Sequence, residues 1–143
     1  MGQRRVASAI VAIVAALACG ERAVDPGTAN RGDSSVVSTA GRYRLAIRPA
    51  HPPPRLGQLH EWIVRVERTD PRRPKPSQVF FDGGMPTHGH GFVTKPRVTR
   101  ALGEGEFLVE GVKFHMAGPW EIRVAVVSAE GTDGAFFRIE VSP

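Results

Sequence analysis

The sequence predicts an all-β protein: an immunoglobulin-like antiparallel β-sandwich of about seven strands, occupying residues 42–143. Three observations point there. Apolar residues recur at every second position in successive short runs, the period of a strand with one buried face. The 16 glycines and 12 prolines suit many short strands joined by turns better than a helical bundle. No run in this region carries its apolar residues at convincing helical spacing.

The strands can be taken in order. Tyr43, Leu45 and Ile47 alternate with Arg44, Ala46 and Arg48, and His51-Pro52-Pro53-Pro54 ends that run because proline cannot donate to a ladder. Gln58 to Arg68 follows, with Trp62, Val64 and Val66 on one face. His60 has the same parity, and the simplest reading makes it a hydrogen-bonded histidine at the edge of the core. Thr69 to Pro76 is a basic, proline-rich turn, and Gln78 to Phe81 is a short strand running into a glycine-rich loop. Arg97 to Leu102 and Glu106 to Met116 pair across the turn Gly103-Glu104-Gly105, with Gly111 expected at a bulge. Trp120, Ile122, Val124 and Val126 form the inner face of the next strand, after a corner at Gly118-Pro119. Phe137, Ile139 and Val141 do the same in the last. The single cysteine rules out an internal disulfide, so tryptophan and phenylalanine must fill the core.

Residues 1–18 have the form of a secretory signal. Arg4 and Arg5 precede a run of small and apolar residues, Val6 to Ala18, that is short for a bilayer span. Ala16-Leu17-Ala18-Cys19 resembles a bacterial lipobox, although Ala16 stands where leucine is usual. The resemblance implies lipidation at Cys19, a membrane anchor and an extracytoplasmic domain, in the periplasm or on the cell surface. Each buried methylene of an acyl chain adds about 0.8 kcal/mol of membrane affinity. Residues 19–41 are mostly small and polar and read as a flexible tether.

The formal net charge is +5, and the signal carries two of the 19 basic residues. The remaining excess gathers in Arg65, Arg68, Arg72, Arg73 and Lys75, a solvated turn and not the dense basic face that nucleic acid requires. No nucleophile has a base and an orienting acid beside it in any recognisable arrangement, so an enzyme is not expected.

The chemistry is concentrated in Asp82-Gly83-Gly84-Met85-Pro86-Thr87-His88-Gly89-His90-Gly91, which reads as a loop at one end of the sandwich. Asp82 is expected to serve as a turn former. Phe114-His115-Met116 forms a second cluster. Thioether sulfur and imidazole nitrogen together suit a soft metal, above all copper, so Met85, His88, His90, His115 and Met116 are the candidate ligands. In an unbroken strand His115 would face outward with Lys113, and Met116 inward with Phe114, so a shared site requires a bend near Gly118-Pro119. The plainer alternative is that the methionines plug the end of the core.

The order of these residues resembles the YtkA-like domain. The resemblance rests on the glycine pair, Met85-Pro86-x-His88-x-His90-Gly91, Gly103-x-Gly105, then Glu110-Gly111-x-x-Phe114-x-Met116-x-Gly118-x-Trp120, with His60-x-Trp62 upstream. It runs from about Arg42 to Val141. It implies a small extracytoplasmic β-sandwich, often a lipoprotein and related in pattern to FixH-type proteins, and it suggests copper handling. The expected function is therefore a lipid-anchored protein that binds or delivers copper. The alternatives are a metal-free interaction module that docks on an envelope protein, and a carrier for a small organic ligand, which would need an apolar cavity.

Overall fold

The computed structural model describes residues 35–143. The signal at residues 1–18, the Cys19 lipidation site and most of the tether lie outside the described residues. Among the described residues nine strands follow one another: β1 Val36–Val37, β2 Tyr43–Pro49, β3 Leu59–Arg68, β4 Gln78–Met85, β5 His90–Gly91, β6 Arg97–Gly103, β7 Glu106–Lys113, β8 Gly118–Ser128 and β9 Gly131–Val141. They form two antiparallel sheets, ordered β1-β2-β3-β7-β6 and β5-β4-β8-β9. Without the two-residue strands β1 and β5, the seven that remain have the two-sheet order of a constant-type immunoglobulin domain.

The alternation read from the sequence builds the core. Leu45, Val64, Val109, Ile122, Val124 and Val126 are fully or almost fully buried between the sheets. An aromatic cluster adds to this core. Trp62 packs on Phe81 and Phe114 at centroid distances of 6.1 and 6.0 Å. Phe114 meets Trp120 edge-on at 5.2 Å, and Phe92 stacks on Trp120 at 5.1 Å. Such pairs add about 0.5–1.5 kcal/mol each beyond the area they bury. Gly111 has φ 84° and sits where the β3–β7 register slips between His60 and Trp62, the bulge expected there.

Three features depart from the sequence reading. Val36 and Val37 pair with Leu45 and Arg44, so the sandwich takes in the end of the stretch expected to be tether. Asp133 explains why. The residue is 6% exposed, and its carboxylate accepts hydrogen bonds from Ser38 Oγ at 2.6 Å, the Ala40 amide at 2.9 Å and the Arg42 amide at 3.2 Å. Burial pushes the Asp133 pKa up, but these bonds and one from the Gly134 amide outweigh it and hold the group below the usual carboxylate value.

The second departure lies in the glycine-rich segment, which is mostly strand. β4 continues through Asp82, Gly83, Gly84 and Met85, and His90–Gly91 returns to pair with Gly84 and Met85. The glycines serve close packing here, not flexibility. A Cβ on Gly83 would lie 2.7 Å from Ile122 Cδ1 and 2.8 Å from the Phe92 ring, and one on Gly84 would lie 2.8 Å from the His90 carbonyl oxygen. Asp82, expected as a turn former, is a strand residue whose Oδ1 accepts the Gly83 amide at 2.8 Å.

The third departure is at β7, which ends at Lys113 and not at Met116. The chain then bends before β8, and that bend frees His115 and Met116 from strand parity.

Candidate metal centre

The first arm of the site is the β4–β5 hairpin. Pro86 opens a 3-10 turn, Pro86–His88, because its fixed φ suits a first helical position. Gly89 at φ 68° reverses the chain, and its amide bonds the Met85 carbonyl at 3.0 Å. His88 and His90 thus flank a left-handed glycine, with ring centroids 5.8 Å apart. His88 is exposed and His90 half-buried. Met85 and His90 are direct partners in the ladder, so their side chains leave the hairpin on the same face.

The second arm is the segment from Phe114 to Met116. Phe114 is fully buried, and its carbonyl accepts the Gly57 amide at 2.7 Å. The indole Nε1 of Trp120 donates to the Met116 carbonyl at 3.0 Å, which closes the bend around Gly118-Pro119. His115 meets the Trp120 ring edge-on, 5.5 Å away and at 82°.

The two arms converge. The His90 and His115 rings lie 4.9 Å apart at 43°. The Nδ1 atoms of both are shielded from solvent and lack a hydrogen-bond partner. An unpaired buried nitrogen is costly, by about 1–3 kcal/mol. Ring contacts run in a row from His88 to His90 to His115. Among the described residues no group of three or more His, Cys, Asp or Glu side chains is placed to hold a metal ion. The soft donors carried by the same two arms are the thioethers of Met85 and Met116. Met85 is 1% exposed, and its Cε lies 3.3 Å from where a Cβ on Gly118 would stand, which puts it beneath the bend of the second arm. Met116 is half-buried against the same core. Both methionines therefore help to close the end of the sandwich.

Other sequence candidates are used elsewhere. His60 Nε2 sits 2.7 Å from the Arg55 carbonyl oxygen and 2.9 Å from its amide, beside a surface groove of about 650 Å³ lined in part by His51, Glu61 and Glu110. This is the hydrogen-bonded edge histidine that the sequence suggested. The basic turn is largely consumed by its own structure. Arg68 donates to the Pro71 and Arg73 carbonyls, Arg72 pairs with Asp70 at 2.8 Å, and Arg73 reaches Glu130 at 2.8 Å.

Sequence reasoning overlooked Phe92 at this site, although it shares parity with His90 and so turns inward with it. It also treated Trp120 as core alone. In comparisons with known proteins, no family model, curated protein or solved structure matches this chain.

Proposed function

We propose that this protein binds copper at the end of the sandwich, through His90 and His115 with the thioethers of Met85 and Met116 completing the donor set, and holds it for delivery outside the cytoplasm. The observation that carries the proposal is the His90–His115 pair, 4.9 Å apart, each ring with an unpartnered, solvent-shielded Nδ1. A bound cation would satisfy both nitrogens at once. The donor set selects the metal. Neutral imidazole and thioether groups suit Cu(I), whereas structural zinc sites are usually closed by four ligands that include thiolates or histidines. His88, exposed and next in the row, is the residue through which the ion would enter or leave.

Cys19 would carry the lipid anchor, and residues 20–35 would hold the domain off the membrane. No helix among the described residues is long and apolar enough to cross a bilayer. The likeness of the motif order to the YtkA-like domain belongs to the same proposal and rests on the residues alone.

The test is a Cu(I) competition titration of the soluble domain under reducing conditions, followed by the same titration with Zn(II). One equivalent of tight Cu(I), lost in the His90→Ala/His115→Ala double variant while the fold persists, is the expected result. Unchanged affinity in that variant removes the proposal.

A further inference from the structure

We infer that Trp120 is the positioning residue of this site: its indole holds the two ligand arms together and so sets the distance between His90 and His115. The inference rests on the copper reading for its importance but stands on its own geometry. Both tryptophans of the chain are nearly fully buried, and only one has its N–H employed. Trp62 Nε1 has no partner, whereas Trp120 Nε1 donates to the Met116 carbonyl at 3.0 Å. The hydrogen bond thus ends on the second ligand arm, at the bend that releases His115 from strand parity.

The same indole touches the second arm directly and, beside the first, the residue that follows its hairpin, Phe92. On one side His115 packs against it edge-on at 5.5 Å. On the other, Phe92 stacks on it at 5.1 Å and 17°. Phe92 follows His90 by two residues, and its amide bonds the Gly83 carbonyl at 3.1 Å, so its placement fixes the line along which His90 leaves the hairpin. His90 belongs to the second sheet, and His115 to the bend that leaves the first after Lys113. Trp120 is the rigid body between them. Outer groups that orient metal ligands typically account for roughly 10–100-fold in affinity.

Trp120→Phe removes the N–H and shortens the ring while keeping an aromatic core residue. In the metal-free protein we expect it to abolish the inter-ring nuclear Overhauser contact between His90 and His115, and in the titration to weaken Cu(I) binding by about tenfold or more. Trp62→Phe should change neither, although it touches the same core. Phe92→Leu, a milder change that leaves Trp120 in place, should disturb the His90 side of the contact if Trp120→Phe proves too unstable to study. Tryptophan emission of the Trp62→Phe protein, which then comes from Trp120 alone, should be quenched stoichiometrically by copper. If Trp120→Phe or Phe92→Leu keeps the inter-ring contact and binds Cu(I) within twofold of wild type, the inference is overturned. If wild type binds no Cu(I), the copper reading falls, and the inter-ring contact in the variants still decides whether Trp120 sets the geometry.

Discussion

His90 and His115 face each other at 4.9 Å across the end of the sandwich, one carried by the hairpin of the second sheet and the other by the bend that leaves the first. The pair therefore reports on how the two sheets are docked. Trp120, part of the aromatic cluster, packs against His115 at this end.

Single substitutions should rank the proposed ligands. His90→Ala and His115→Ala should each lower Cu(I) affinity by more than the roughly 10–100-fold expected for loss of an outer partner. His88→Ala should cost less than about tenfold, because His88 is exposed and neighbours only His90 in the row of rings. Competition titration with a Cu(I) chelator measures all three, and equal losses at His88 and His115 would contradict the assignment.

The thioethers should choose the oxidation state. Met85→Leu/Met116→Leu conserves volume and should cost less than about 1.5 kcal/mol of stability per site. It should reduce Cu(I) affinity while leaving Cu(II) binding by the imidazoles largely intact. Parallel titrations under reducing and oxidising conditions read the difference, and equal loss for both ions would assign the methionines to packing alone.

The glycines of the hairpin should resist replacement. Gly83→Ala places a methyl 2.7 Å from Ile122 Cδ1 and 3.0 Å from the Glu121 carbonyl oxygen, and should destabilise by about 1–3 kcal/mol. Gly84→Ala pushes against the His90 carbonyl, so it should lower copper affinity along with stability. Denaturant unfolding and metal titration of both variants provide the check.

Stability should fall on the acid side through Asp133. Its pKa is lowered in the fold, so its contribution is complete above the unfolded carboxylate value of about 3.9 and is lost as pH drops through the lower folded value. Asp133→Asn should remove that part of the acid dependence. It should also cost about 1–3 kcal/mol at neutral pH, since Ser38 Oγ and the amides of Ala40, Arg42 and Gly134 share one carboxylate. Urea unfolding of both proteins at pH 7 and in the acid range measures the two effects.

Much of the sandwich was legible in the chain. Alternation in Tyr43–Ile47, Trp120–Val126 and Phe137–Val141 assigns each residue a face, because a strand offers only two. The bulge at Gly111 was legible too. The end of the tether was not, because the pairing of Val36–Val37 depends on a carboxylate far away in the chain, at Asp133. The glycine-rich segment was misread for a related reason: glycine signals freedom in a sequence, but at Gly83 and Gly84 it answers to atoms of Ile122, Phe92 and His90.

Local pattern alone thus settled the fold class, the inner face of most strands and the residue types from which a soft-metal site could be assembled. Only tertiary structure decided that His90 and His115 meet, that Met85 and Met116 pack against the core, and that Trp120 contacts both Phe92 and His115. The reason is physical: strand parity is enforced by a residue's immediate neighbours, whereas the separation between a side chain on one sheet and another on the bend leaving the other depends on how the whole core packs.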